Sequence, residues 1–194
     1  GQKHLRTIAM HLAEQGHEVR LLCTRRADTG TPFRWHERAL VLPILRFKQP
    51  FPAPYDTPAY NIAAIMQDVG EQMQWAERLY IHDGEFVFPY VYREIPTVVG
   101  LRDNVYPETI QGAFHFEGHR LIVVSEYGRQ FFLQTVGRFF PELPSRMKII
   151  RNSIDWKRFE ATKPHRLLNL IPTVHPEVHQ IVLHPHRPED SKGI

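Results

Sequence analysis

Four short apolar runs, each closing on polar residues, constrain this chain more than any other feature. They are "RLYIH" at 78–82, "TVVGL" at 97–101, "LIVVSE" at 121–126 and "KIIRNSI" at 148–154. Continuous apolar runs of this length, rich in β-branched residues, read as strands buried on both faces. Helical patterns lie between several of them. Strands alternating with helices predict an α/β chain with a Rossmann-like, doubly wound parallel sheet. Such a sheet binds its ligands beyond the carboxyl ends of its strands. The polar residues that follow each run are therefore the expected place for chemistry.

The rest of the chain fits around these runs. Leu5, Ile8, Ala9 and Leu12 recur at helical spacing, and Gly16 supplies a stop, so the chain opens at or inside a helix with no strand before it. Val19–Cys23 reads as a buried strand, and the Arg-rich stretch at 24–39 as an exposed loop. Leu40–Leu45 is a further strand, which Pro43 pushes toward a sheet edge because proline cannot donate to the ladder. The stretch at 48–60 holds four prolines and reads as a long loop, a frequent place for function. Ile62, Ile65, Met66, Val69 and Met73 form one helical stripe. A short helix is expected at 86–95. In 127–140, Phe131, Phe132, Val136, Phe139 and Phe140 are expected on one helical face, with Ser125 capping that helix through its hydroxyl. A last strand is expected at Ile181–His184, after an irregular stretch.

With 194 residues, 42% of them hydrophobic, the chain can build one packed domain or one domain and part of a second. No apolar run approaches the roughly 20 residues of a membrane span, and nothing at the start reads as a secretory signal. The single cysteine, Cys23, excludes an intrachain disulfide and fits a reducing compartment. These features predict a cytoplasmic protein. A formal charge of +3 with 12 histidines is too weak a bias for nucleic acid, but suits anionic ligands or an anionic membrane face. The phenylalanines of 127–140, with Arg129 and Arg138, admit a peripheral membrane contact; core packing explains them more simply.

Each strand end offers a functional and a structural reading. His82 is either an acid–base or hydrogen-bonding group in a cleft or a histidine satisfied by its neighbouring loop. Arg187 and Lys192 are either a diphosphate grip, aided by a following helix N-terminus, or a solvated basic turn. His175, His179, His184 and His186 fall within twelve residues. His184 and His186, two apart, share a side of a strand and could ligate a metal in a hydrolase, but no third spaced ligand accompanies them. Ser125 lacks the glycine turn that would expose a nucleophile, so capping is its better reading.

Six stretches in order resemble one family. "HLRTIAMHLAEQGHEVRLLC", "LYIHDGEF", "VVGLRDNVYP", "LIVVSEYGRQ", "RNSIDWKRF" and "HRPEDSKGI" are similar to the N-terminal half of the GT-B glycosyltransferases, in the large retaining group numbered four. Tyr80, Ser153 and His186 depart from that family's pattern. The resemblance implies an acceptor-side domain at 1–178 and the first strand and turn of a donor-binding domain at 179–194. It implies that the first strand, normally central, is missing. It implies transfer of a sugar from a nucleotide-sugar donor to an acceptor with retention, without cofactor or metal. By matched position, Arg187, Lys192 and Gly1 would hold the donor diphosphate, and His82 would touch the donor sugar. Arg102 and Asp103 would lie on the acceptor side. The chain alone, without the C-terminal domain, would not turn over. A non-catalytic carbohydrate-binding module with the same fold is the remaining alternative.

Overall fold

The computed structural model describes residues 2–25, 28, 30–45, 59–83, 94–102, 104, 113, 120–153, 156, 160 and 161. The chain divides into two compact units, Gly1–Asn152 and Ser153–Ile194. The described elements all belong to the first unit. They are helix α1 (Gln2–Glu14), strands β1 (Val19–Thr24), β2 (Phe33–His36) and β3 (Ala39–Leu45), and helix α2 (Ala59–Trp75). Then follow β4 (Leu79–His82), β5 (Thr97–Leu101), β6 (Arg120–Val123), α3 (Glu126–Gln134), a 3₁₀ turn (Val136–Arg138), α4 (Leu143–Arg146) and β7 (Met147–Ile149). Residues 86–93 of the expected short helix, the proline-rich stretch up to 58 and the strand at 181–184 lie outside the described residues. Glu94 and Ile95 are in a turn and bend and not a helix, and Ala59 and Tyr60, expected in the loop, open α2.

The four founding runs form one sheet in the order β4-β5-β6-β7, parallel throughout. Parallel neighbours need crossovers, and these sheets are stable only when covered. Side chains alternate between faces. One face presents Ile81, Val99, Leu121, Val123 and Met147 to Phe132, Val136 and Leu143, and together they form the main buried cluster. Phe132 and Leu121 are almost wholly enclosed. Ser125 caps α3: its Oγ accepts from the Gly128 backbone N–H at 3.0 Å, satisfying one of the helix's orphan donors.

A second sheet has the order β1-β3-β2. Its β1–β3 pair is parallel and its β2–β3 pair antiparallel. Two expectations are corrected here. The stretch at 24–39 is not all loop, since Phe33–His36 pairs with β3. Nor does Pro43 lie in an edge strand, because β3 is central. The ladder explains how the proline fits. β2 pairs only with Ala39, Leu40 and Val41, so it has ended before Pro43, and the β1 ladder shifts register between Cys23 and Thr24, next to Pro43's partner. On the β2 side the proline therefore meets the conditions of an edge within a central strand.

The helical stripes also shift. In α1 the buried residues are Ala9 and Ala13, while Leu12 is exposed. Small side chains let the helix approach its sheet closely, and Leu12 falls to one side of the contact. In α2 Val69 is buried and packs with Leu45 and Leu22, whereas Met66 is exposed. The C-terminal end of α2 is tied to β1. The Arg20 guanidinium lies 4.0 Å over the Trp75 ring and donates to Gln72 Oε1 at 2.9 Å. After Gln134 the α-helix tightens to a 3₁₀ turn. The change of period rotates Phe139 out to 68% exposure, while Phe131 and Phe140 stay against the core. The five-residue apolar face is thus four residues and one outlier. Among the described residues no helix is long and apolar enough to cross a membrane.

Candidate functional site

The carboxyl ends of β4, β5 and β7 bring four polar groups together. β4 ends on His82, and Asp83 follows it with φ 58°, a left-handed conformation that a non-glycine residue rarely holds. Aspartate tolerates it better than most because its short side chain can bond locally. Two bonds fix it there. The Asp83 N–H donates to the Gly100 carbonyl at 2.8 Å, and Asp83 Oδ1 accepts from the Arg102 backbone N–H at 2.9 Å. Asp83 therefore staples the end of β4 to the end of β5. The Arg102 side chain in turn donates through Nη2 to Asn152 Oδ1, which comes from the segment after β7. Residues 50 positions apart in sequence meet at one end of one sheet.

His82 sits at the centre of this group, with its side chain 14% exposed. Its Nε2 stands 3.2 Å from Asp83 Oδ2, but off the line of a hydrogen bond, and makes none among the described residues. Its Nδ1 lies 3.5 Å from the Tyr80 hydroxyl. His4 of α1 stacks on the His82 ring at 6.1 Å between centroids. Burial, and then the Arg102 guanidinium, push the His82 pKa down from 6.5 to about 4. His82 is therefore neutral at physiological pH. The His82–Asp83 contact is then a dipole–charge contact rather than an ion pair. Burial and Arg102 also lower the pKa of His4, and burial pushes the Tyr80 phenol up.

A cavity of about 230 Å³ opens beside these groups on the sheet face opposite the main core. His4, Ile8, Tyr80, Gly100, Arg102 and Ile122 contribute to its lining. Its walls are chiefly apolar, with the guanidinium and the two aromatic polar groups as the points of hydrogen bonding. Such a combination can hold a ligand that presents hydroxyls or an anionic group to Arg102 and a less polar surface to the sheet.

Of the residues singled out in the sequence, His82 and Arg102 are brought to this one site. Asp103, Gly1, Arg187 and Lys192 lie outside the described residues, as do His175, His179, His184 and His186. Among the described residues no group of three or more histidines, cysteines or carboxylates is placed to hold a metal. Ser125 is committed to its helix cap. Four members of the site were not selected as site residues in the sequence: His4, Tyr80, Asp83 and Asn152. Asp83 and Asn152 follow strands, and that position was their signal. His4 carried none, since a histidine in the first turn of an amphipathic helix looks like any solvated residue.

The sheet and its polar end define an α/β protein with a parallel sheet compatible with a Rossmann-like fold. No protein-family model, curated protein or solved structure matches the chain.

Proposed function

We propose that this chain is the acceptor-side half of a retaining, sugar-nucleotide-dependent glycosyltransferase of GT-B type. The observation that carries the proposal is the meeting of His82 and Arg102, from neighbouring parallel strands, beside a cavity at the carboxyl end of the sheet. The resemblance assigned the two residues to a common cleft from separate stretches of sequence, and their proximity supports it.

The arrangement of strands offers separate support. Among the described residues β1 is a terminal strand of one sheet and β4 a terminal strand of the other, and each pairs in parallel with one neighbour. One more parallel strand between them would give β2-β3-β1-x-β4-β5-β6-β7 as a single sheet. That is the place of the first strand in the proposed family.

In this reading Arg102, held by Asn152, grips the acceptor, and His82, proposed to touch the donor sugar, stays neutral and adds no positive charge beside a developing oxocarbenium centre. Departure of the nucleoside diphosphate places negative charge on the leaving phosphate, where fixed cations stabilise it. Arg187 and Lys192 are proposed for that task, with Gly1 at the diphosphate and Asp103 on the acceptor side. Nucleotide-sugar donor, sugar-bearing acceptor and a donor-binding C-terminal domain are the proposed partners. Saturation-transfer NMR with a panel of mono- and disaccharides, polyols and glycolipid headgroups tests the acceptor role. At least one should bind, and Arg102→Ala should weaken it about tenfold or more, as loss of a charge-assisted bond implies. Binding that is absent across the panel, or indifferent to Arg102, would remove the acceptor assignment.

A further inference from the structure

Tyr80 and Gly100 form a pair that the reaction chemistry above does not use. Gly100 is the register partner of His82, and Tyr80 lies diagonally across β4 and β5 from it. Both line the cavity, Tyr80 two residues along the chain from His82 and Gly100 two from Arg102. The tyrosine lies directly over the glycine. A Cβ added at Gly100 would fall on the Tyr80 hydroxyl and stand 2.9 Å from the ring carbon that bears it. Only a residue without a side chain leaves room for the phenol in this position. The phenol so placed reaches His82: its oxygen is 3.5 Å from Nδ1, and the two ring centroids are 6.1 Å apart.

Which ring nitrogen carries the proton follows from the other side of the imidazole. Nε2 faces the Asp83 carboxylate oxygen at 3.2 Å. The contact is off the line of a hydrogen bond, but a lone pair on Nε2 would face the carboxylate's negative charge, so the proton is favoured on Nε2 and the lone pair on Nδ1. The Tyr80 O–H then has one role open at that contact, to donate. We infer that Tyr80 is a positioning residue for His82: seated on Gly100, it donates to Nδ1 and locks the ring in the Nε2–H tautomer, with Nε2 on the Asp83 side. Within the glycosyltransferase reading, on which this role in the reaction rests, the lock fixes a neutral imidazole whose buried Nε2–H faces Asp83, beside the Arg102 assigned to the acceptor.

The test reads the imidazole itself and needs no turnover. Long-range ¹H–¹⁵N correlation spectra of the full chain, labelled with ¹⁵N-histidine at pH 7.5, give the tautomer of each histidine, and loss of one set of signals in His82→Asn assigns His82. The wild type should show a single Nε2–H tautomer with a hydrogen-bonded Nδ1. Tyr80→Phe should move the Nδ1 resonance toward that of a free lone pair and admit the second tautomer. Gly100→Ala should do the same although the tyrosine is retained, because the new methyl displaces the phenol. The double variant should go no further than either single one. Backbone amide spectra of the folded protein check that each variant keeps the sheet. An Nδ1 resonance that Tyr80→Phe leaves in place would overturn the inference, and so would an Nδ1–H tautomer in the wild type. If the spectra behave as expected while no acceptor binds, the positioning role stands and the glycosyltransferase reading falls.

Discussion

Replacing His82 by glutamine should flatten the dependence of stability on pH between about 4 and 6.5. The folded protein holds this imidazole neutral down to a pKa of about 4, against 6.5 for an ordinary histidine. Between those values the unfolded chain binds a proton that the folded chain refuses. Stability therefore rises with pH through this window, is fully present above pH 6.5, and is lost as pH falls toward 4. At pH 5.0 the unfolded histidine is almost wholly protonated and the folded one scarcely so. Linkage then assigns roughly 2 kcal/mol of destabilisation to this one group relative to pH 7.5. Urea unfolding at both pH values, followed by far-UV circular dichroism, supplies the numbers for wild type and His82→Gln. The wild type should lose roughly 2 kcal/mol more than the variant on acidification. The other histidines, His4 included, act in both proteins, so the difference isolates His82. Equal losses in the two proteins would refute the reasoning. A smaller loss in the wild type would mean that Asp83 governs the ring and holds it charged.

Two further outcomes concern the phenylalanine-rich segment. Phe132→Ala should cost about 3–5 kcal/mol by denaturant unfolding, since the ring is 1% exposed in the main cluster, whereas Phe139→Ala at 68% exposure should stay within about 0.5 kcal/mol. Similar costs at the two positions would mean that the 3₁₀ turn does not rotate Phe139 out of the core. Co-sedimentation with phosphatidylserine-containing vesicles at 0.15 M salt should leave the protein in the supernatant, because Phe131, Phe132 and Phe140 are committed to packing. Pelleting that Phe139→Ala abolishes would establish a membrane contact instead.

How much of this was legible in the sequence depended on the element. β5 matches its expected bounds because Thr97–Leu101 is a self-contained apolar run between polar residues, and a fully buried strand has no other sequence form. β2 was hidden because Phe33-Arg-Trp-His carries its apolar residues among arginines. A four-residue antiparallel strand at a sheet edge needs little more than backbone pairing. β3 was found but misplaced, since a proline signals a missing donor and cannot say that the neighbouring strand ends two residues earlier. The site divides in the same way. His82 stood out because it closes a strand, and Arg102 because it lies just past one in a stretch that resembles the family's segment. The bonds that make them a unit, from Asp83 to Arg102 and from Arg102 to Asn152, depend on strand order and register. The stacking of His4 depends on where α1 crosses, which no local pattern encodes.

The reading proposed for this chain includes a pyrophosphate grip at Arg187 and Lys192. Calorimetric titration of the protein with uridine and guanosine diphosphates and their glucose and mannose esters tests it most directly. The account predicts saturable binding of at least one of them, weakened about a hundredfold when Arg187→Ala and Lys192→Ala are combined, since two charge-assisted contacts are removed. Affinity that is the same in the double variant, or no binding by any nucleoside diphosphate, would contradict it.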